Sequence, residues 1–382
     1  MGELELAELQ VDASQGPGGI TVHGVTVHTV VAPWDDYTGA YLDVVKRAEQ
    51  SIHVLTFCAT QRDFIDLLVE KQNKGVQVHL IQDYQQYAKQ PILQQQIGRL
   101  LKEAPGVDVV IGTAPIIPNT PEPRNQTGKP FPCPAGWALH SKIIVVDGEW
   151  MVDGSGNQSY GAPKECNSLS VIRDPERAAY FLAQFDSLRT WILANQQAMQ
   201  PGKSLTLLAA ALVDAEDTPS PPQFQQGAGV VHEHVTVTTY LTPQDRMGTA
   251  FMDLLKKTER SLHLWVFEIT HKQAMAEVIA MAKRGIAVSL IQDLQSYNEF
   301  SDLKAWVDEL KAAGADVTVR SSPCENTFMH MKSAVFDEAL VWDGSWNPTY
   351  SGLWGANSAN LFESKEMATY YVEQFNKLKS AP

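Results

Sequence analysis

The sequence contains one stretch twice, and this repetition constrains the fold more than any other feature. HSKIIVVDGEWMVDGSGN at 140–157 and HMKSAVFDEALVWDGSWN at 330–347 share His-x-Lys, a later Asp and then Gly-Ser-x-Asn, all at an offset of 190 residues. Two copies of one half-site are the materials of a single site with two histidines. The chain is therefore expected to fold as two related halves that face each other.

Further repeats indicate that the duplication extends beyond the motif. SIHVLTF at 51–57 matches SLHLWVF at 261–267, and Asp83 matches Asp293, both at an offset of 210 residues. The first half must then hold about twenty extra residues before its motif, and the candidate is the proline-rich loop 113–137. Its prolines exclude helix or central strand. A long loop beside a site is typical of a substrate wall.

The alternation of apolar strands with amphipathic helices predicts the fold class. Strands alternating with helices indicate α/β architecture with helices on both faces of a sheet. The sequence predicts two fused, duplicated α/β halves, each a mixed sheet flanked by helices. The boundaries are an N-terminal half at 1–200, a linker at 201–229 and a C-terminal half at 230–382.

The polar residues of the motif suit a phosphate group. If 140–146 is a strand, as its β-branched residues suggest, His140 and Lys142 point to one face about 7 Å apart. An imidazole and an ammonium at that spacing can bind an anionic, tetrahedral group. The turn after the strand adds the Ser155 hydroxyl and the Asn157 amide as donors. The second copy supplies His330, Lys332, Ser345 and Asn347.

This doubled pattern resembles the phospholipase D superfamily, whose members carry two His-Lys-Asp motifs, each followed by Gly-Gly or Gly-Ser and then Asn. The segments NSLSVIRDPERAAYFLAQF from Asn167 and NSANLFESKEMATYYVEQF from Asn357 extend the resemblance past the motifs. It implies a phospholipase D-like fold and a site that needs no metal or cofactor. The catalytic residues it implies are His140, Lys142, Asn157, His330, Lys332 and Asn347, with Ser155 and Ser345 supporting.

One feature departs from the superfamily pattern. Nuclease-like members have Asn-x-Glu after the motif, and the Glu orients the catalytic imidazole; here the corresponding residues are Leu169 and Ala359. An Asp precedes Gly-Ser in both halves, and Asp153 and Asp343 are predicted to bond the histidines instead.

The aspartates of the motif itself are predicted to be structural. Asp147 and Asp337 lie five residues beyond the lysines and therefore on the opposite strand face. They are expected to bond nearby backbone.

The resemblance implies a covalent mechanism. One histidine attacks phosphorus and forms a phosphohistidine, while the other protonates the leaving oxygen and then activates water or an alcohol. The lysines and the motif asparagines stabilise charge on the phosphoryl oxygens. The resembling lipases use the first motif, so His140 is assigned as the nucleophile.

Charge narrows the substrate without fixing it. The net charge of −14 and a pI near 5.1 disfavour tight binding to DNA, which requires clustered Lys and Arg. The same charge favours a zwitterionic headgroup or a small diester over anionic lipid. We therefore expect a phospholipase D that hydrolyses phospholipids or transfers their phosphatidyl group. A nuclease remains an alternative, because Gly-Ser-x-Asn also resembles the nucleases. A catalytically weak phosphate-binding module is a third reading.

The remaining sequence features concern location and assembly. No apolar run approaches the length needed to cross a bilayer, and the acidic start MGELELAELQ is unlike a signal segment. The expectation is a cytoplasmic protein, or a secreted one whose signal has been removed. A monomer suffices, because one chain carries both half-sites.

Overall fold

The computed structural model describes residues 18–115, 137–199, 227–325 and 327–382. Within them, fourteen strands form one continuous mixed sheet. The strands are β1 (Ile20–Val31), β2 (Ser51–Thr56), β3 (Gln77–Asp83), β4 (Asp108–Gly112), β5 (Lys142–Val146), β6 (Trp150–Gly154), β7 (Ser168–Arg173), β8 (Val230–Leu241), β9 (Ser261–Val266), β10 (Ala287–Asp293), β11 (Asp316–Arg320), β12 (Lys332–Phe336), β13 (Leu340–Gly344) and β14 (Ser358–Glu363).

The described helices repeat in the same order in each half. They are α1 (Tyr37–Lys46), α2 (Arg62–Asn73), α3 (Tyr84–Lys89), α4 (Pro91–Glu103), α5 (Pro175–Met199), α6 (Met247–Lys257), α7 (Lys272–Lys283), α8 (Leu294–Glu299), α9 (Ser301–Ala312), α10 (Tyr350–Trp354) and α11 (Lys365–Ser380). Helix α2 corresponds to α7, and α4 to α9, at the 210-residue offset. No helix among the described residues is long and apolar enough to span a membrane.

The strand order displays the duplication. It runs β4-β3-β2-β5-β6-β7-β1 through the first half and β8-β14-β13-β12-β9-β10-β11 through the second. The antiparallel pair β1 and β8 joins the two halves at the centre. Parallel pairs occur where a helix crosses between strands, as from β2 through α2 to β3, and tight turns join antiparallel pairs such as β5 and β6. The predicted α/β fold of two duplicated halves is confirmed.

Helices cover both faces of the sheet and pack against its apolar side chains. In the first half, α1, α2 and α4 cover one face through residues such as Phe64, and α5 covers the other through Phe181 and Phe185. In the second half, α6, α7 and α9 cover one face and α11 the other. These layers place the ends of β5 and β12 at the junction of the two halves.

The start of the first motif strand differs from the expectation, and two predicted segments are mostly outside the described residues. The first motif strand begins at Lys142 rather than His140, because the His140 backbone N–H bonds the Ala356 carbonyl at 2.7 Å instead of a neighbouring strand. Most of the predicted loop 113–137 and of the predicted linker 201–229 lies outside the described residues.

Candidate active site

The segments just before β5 and β12 carry the two motif histidines, and each is held by the opposite half. The carbonyl of Ala356 accepts from the backbone N–H of His140 at 2.7 Å and of Ser141 at 2.8 Å. The Ala356 N–H in turn donates to the Ala138 carbonyl at 3.0 Å, and the equivalent bond in the other direction runs from the Cys166 N–H to the Phe328 carbonyl at 3.0 Å. Each half therefore completes the other half's site.

Buried carboxylates fix the backbone immediately before each histidine. Asp83, at the end of β3, accepts from the Leu139 N–H at 2.8 Å, and burial raises its pKa to about 7. Asp293, at the end of β10, accepts from the Met329 N–H at 2.9 Å. These aspartates, seen in the sequence only as markers of the repeat, position the catalytic segments.

Each imidazole bonds an asparagine from the other half. His140 Nδ1 lies 3.1 Å from Asn357 Oδ1, and His330 Nδ1 lies 3.0 Å from Asn167 Oδ1. The amide nitrogen of Asn357 donates to the Gly352 carbonyl at 3.0 Å, which leaves its oxygen facing the ring. A carbonyl oxygen can only accept, so each Nδ1 carries the proton. Nε2 of each ring then keeps its lone pair free for chemistry.

One of the two asparagines has an acidic partner. Asn167 Nδ2 donates to the Ala162 carbonyl at 2.9 Å and to Glu165 Oε2 at 3.0 Å. Glu165 Oε2 also lies 3.8 Å from His330 Nδ1. The residue that corresponds to Glu165 in the second half is Gly355. The site is therefore asymmetric, with a carboxylate beside His330 and none in the matching place beside His140.

The motif lysines contact the backbone of the motif histidines. Lys142 and Lys332 are buried, and each ammonium donates to the backbone carbonyl of the histidine two residues earlier. Lys142 Nζ lies 4.9 Å from the centre of the Phe57 ring, and Lys332 Nζ lies 5.2 Å from that of Phe267. These cation–π contacts compensate part of the cost of burial.

Burial and the paired lysines change the ionisation of the site. Burial, and then the charges of Lys142 and Lys332, hold the pKa of both imidazoles well below the usual range. Burial lowers the pKa of Lys332 to about 7 and that of Lys142 well below its usual value. The two buried lysines repel each other and disfavour further protonation of the imidazoles beside them. A bound phosphodiester anion would relieve that repulsion.

The histidines and the motif asparagines line one cavity of about 1330 Å³ between the two halves. Asn157 and Asn347 both border it, and the side-chain oxygen of each is buried with no hydrogen-bond partner among the described residues. Such orphaned polar atoms are costly unless a ligand or solvent meets them. The structure brings together all six residues predicted to be catalytic.

The motif serines do not reach this cavity, so their prediction as substrate donors is wrong. Ser155 and Ser345 are fully buried. Ser155 Oγ donates to Asn167 Oδ1 at 3.0 Å and accepts from the Ser168 N–H at 2.8 Å, and Ser345 Oγ accepts from the Ser358 N–H at 2.9 Å. The preceding Gly154 allows this approach, since a Cβ there would lie 2.2 Å from the Ser168 carbonyl oxygen. The serines hold the segments that carry the orienting asparagines.

The prediction that Asp153 and Asp343 orient the histidines is also wrong. Asp153 accepts from Ser358 Oγ at 2.6 Å and Asn360 Nδ2 at 2.9 Å, and Asp343 accepts from Ser168 Oγ at 2.6 Å. Both carboxylates point across the sheet junction into the opposite half, away from either imidazole. Burial raises the pKa of Asp343 to about 7. These residues join the two halves.

The motif aspartates Asp147 and Asp337 lie at the far ends of β5 and β12. Asp147 accepts backbone N–H groups of Glu49, Gln50 and Ser51 at 2.8 to 2.9 Å. Asp337 makes the equivalent bonds to residues 259–261. Their contacts are with backbone, and they do not border the cavity.

Sequence reasoning missed the residues that complete the site. Leu169 and Ala359, where an orienting acid was sought, are buried in the apolar cores, and the asparagine two residues earlier takes that role. Phe57 and Phe267 contact the histidines edge-on, with ring centres 4.8 and 5.0 Å apart. Both pairs, Asn167 with Asn357 and Phe57 with Phe267, were visible as residues matched at the repeat offsets.

Comparison with known proteins gives a matching family model and a similar curated protein. The family model described as "Cardiolipin synthase, PLD-like domain" matches residues 41–189 and 251–379. The mitochondrial cardiolipin hydrolase of Chlamydomonas reinhardtii is 28% identical over 216 residues, which cover 55% of this chain and 92% of that protein.

Two solved structures are similar. The phosphatidylserine synthase of Haemophilus influenzae Rd KW20 superimposes with a TM-score of 0.64 at 11% identity, covering 93% of this chain and 86% of that one. A phospholipase D family member, Nuc from Salmonella typhimurium, matches 39% of this chain and 96% of its own, at 17% identity and a TM-score of 0.36. The first of these supports the fold across both halves.

Proposed function

The chain belongs to the phospholipase D superfamily, and we propose that it is a phosphodiesterase that forms a covalent phosphohistidine and acts on phospholipids. The observation that carries the proposal is the pair His140 and His330, each with Nδ1 bonded to an asparagine and both bordering one cavity. With Nδ1 protonated, each ring has its Nε2 lone pair for a step of a two-histidine reaction at one phosphorus. Relatives whose names include cardiolipin hydrolase and phosphatidylserine synthase support the lipid substrate.

The asymmetry around Glu165 supports one assignment of the two roles. Its carboxylate, 3.8 Å from His330 Nδ1, favours the imidazolium form of His330. His330 is then the general acid that protonates the leaving oxygen, and the base in the second step. His140, without a matching carboxylate, stays neutral and attacks phosphorus from Nε2.

The remaining groups stabilise the transition state. The charges of Lys142 and Lys332, together with the side chains of Asn157 and Asn347, act on the phosphoryl oxygens in a buried site where electrostatic interactions are strong. The protein's own cations thus supply the charge stabilisation that the reaction needs. EDTA should leave the rate unchanged.

The proposal is tested by assaying the purified protein in EDTA on three diesters. They are phosphatidylcholine, single-stranded DNA and bis(p-nitrophenyl) phosphate. We expect hydrolysis of the lipid and of the chromogenic diester. Cleavage of DNA alone would establish the nuclease instead, and binding of phosphate without turnover of any diester would establish a binding module.

Removing an orienting asparagine should lower turnover. Asn357→Ala deprives the His140 Nδ1 proton of its acceptor, so the ring can adopt the wrong tautomer. We expect kcat to fall about 10²-fold with little change in KM, and Asn357→Asp, which keeps an acceptor, to restore part of it.

Asn360→Ala is the matched control for this variant. Asn360 is equally buried three residues later, but it bonds Asp153 at 2.9 Å and Arg177 at 2.7 Å rather than a histidine. It should reduce thermal stability and leave kcat of the folded protein within a few fold. Equal kcat losses in Asn357→Ala and Asn360→Ala would reduce the orienting role to a packing effect.

The pH dependence should reflect the depressed imidazole pKa values. Turnover from the free enzyme needs one neutral and one protonated histidine, so kcat/KM should follow a bell whose maximum lies below the ordinary histidine value of 6.5. In Glu165→Gln the His330 imidazolium loses its anionic neighbour and its pKa falls. The alkaline limb should then move about one unit to lower pH.

Glu325→Gln serves as the control for the pH profile. Glu325 pairs with Lys164 at 2.8 Å on the surface beside Glu165 and does not border the cavity. Its profile should match that of the wild type. An alkaline limb unchanged in Glu165→Gln would remove the assignment of His330 as the acid.

A further inference from the structure

The cavity extends beyond the two histidines, and the helices that line it with apolar side chains belong to the second half. Helix α3 of the first half borders it through the polar Gln85, Gln86 and Lys89. Besides the catalytic groups, its lining includes α7 and α9 of the second half, through Met275, Ala276, Ile279, Leu303 and Trp306. We call the space between these helices the α7–α9 groove. Its volume is continuous with the catalytic centre, so a substrate held at the histidines can extend into it.

The equivalent helices of the first half do not border the cavity. An ion pair between Asp66 and Arg99 links α2 to α4 there. Arg62, one turn earlier on α2, lies 3.7 Å from the same Asp66. At the 210-residue offset, Asp66 corresponds to Ala276, and Arg99 to Glu309. The second half therefore lacks this pair, and Ala276 places a methyl group where the first half has a carboxylate. Glu309 pairs instead with Lys283, near the C-terminal end of α7, at 3.1 Å.

The walls of the groove are apolar and fixed. Trp306, which corresponds to Gln96 of the first half, is anchored by its indole N–H, which donates to the Met275 carbonyl at 2.9 Å. Met275 and Ile279 from α7 face Leu303 from α9 across the groove. Aliphatic and thioether side chains of this kind suit a flexible hydrocarbon chain.

The charges at the rim disfavour a polynucleotide. Among the described lining residues outside the catalytic centre, the acids are Glu268, Glu299, Asp302 and Glu309, and the cations are Lys89 and Lys272. A phosphate backbone needs clustered cations, whereas an uncharged chain does not. In a phospholipid the acyl chains lie one glycerol unit away from the phosphodiester, so a chain can enter the groove while the phosphate is held at the histidines.

From the groove's continuity with the site, its apolar walls and its closure in the first half, we infer that it binds an acyl chain of the substrate. This inference rests on the proposed phosphodiesterase function and adds to it a specificity determinant, Ala276. The second half binds the acyl chain, while both halves supply catalytic residues. Transplanting the first-half ion pair should close the groove.

The test compares soluble phosphatidylcholines that differ only in acyl length, dibutyryl and dihexanoyl, both below their micelle concentrations. Each buried methylene is worth about fourfold in binding. Wild-type kcat/KM should be about tenfold or more higher for the longer chains. In Ala276→Asp/Glu309→Arg this ratio should fall to near one.

Gln273→Asp is the control for the carboxylate introduced at Ala276, because it adds one negative charge to the exposed surface of α7 outside the groove. Its chain-length ratio should equal that of the wild type. Ala276→Trp fills the groove without an ion pair, and its ratio should also fall, which keeps the test valid if the double variant fails to fold.

The outcomes separate the inference from the proposed function. A wild-type ratio near one, or a ratio unaffected by both groove variants, would overturn the acyl-chain assignment. If bis(p-nitrophenyl) phosphate is hydrolysed in those experiments, the phosphodiesterase function stands. If the wild type hydrolyses neither the lipids nor that diester, both are overturned.

Discussion

Replacing either motif histidine should abolish nearly all turnover of a phospholipid. His140→Ala removes the nucleophile and His330→Ala removes the acid, so each variant should lose on the order of 10³-fold or more in kcat. The losses should not add in the double variant, because the two rings act in one reaction sequence. The measurement is steady-state hydrolysis of phosphatidylcholine in EDTA.

A diester with a good leaving group should distinguish the two variants. The p-nitrophenolate ion leaves without protonation. In His330→Ala, His140 should therefore still take the p-nitrophenyl phosphoryl group from bis(p-nitrophenyl) phosphate. Without a base to activate water, the reaction should then stop after a burst of about one equivalent of nitrophenol. His140→Ala should give no burst. The reverse pattern would exchange the roles of the two rings.

His23→Ala is the control for this pair. His23 is exposed on β1, where its ring bonds Thr236 Oγ1 at 3.1 Å, and it does not border the cavity. It should retain wild-type kinetics. A single catalytic variant with a near wild-type rate on phosphatidylcholine would contradict the need for two histidines.

The repeats in the sequence were enough to predict the fold, and the six residues that they single out lie at one junction in the structure. Two motifs at one offset require two equivalent sheets, and a site with two histidines requires the motif ends to meet. The mixed α/β architecture follows from the apolar strands and amphipathic helices between them. The joining of both sheets into one through β1 and β8 could not be predicted, because edge pairing depends on how the halves pack.

The orientation of the histidines could not be obtained by reading along one half. Asp153 and Asp343 are close to the histidines in sequence, but their carboxylates accept hydrogen bonds from serines of the opposite half. Asn167 and Asn357 reach the histidines only because each belongs to the other half. Contacts between repeats pair residues far apart in sequence, and local spacing does not reveal them.

The asymmetries between the halves were readable in principle. Glu165 stands opposite Gly355, and Asp66 opposite Ala276, in an otherwise matched repeat. Their meaning depends on knowing which positions face the cavity. With those positions known, the differences support the proposed roles of the two histidines and the proposed groove in the second half.

The most direct test of the covalent two-histidine mechanism is to trap its intermediate. Enzyme mixed with substrate under single-turnover conditions, quenched in base and digested, should contain an acid-labile, base-stable phosphoryl adduct detectable by mass spectrometry. The account predicts the adduct on the peptide that contains His140, and none in His140→Ala. Product formation at the wild-type rate with no adduct on either histidine at any quench time would contradict it.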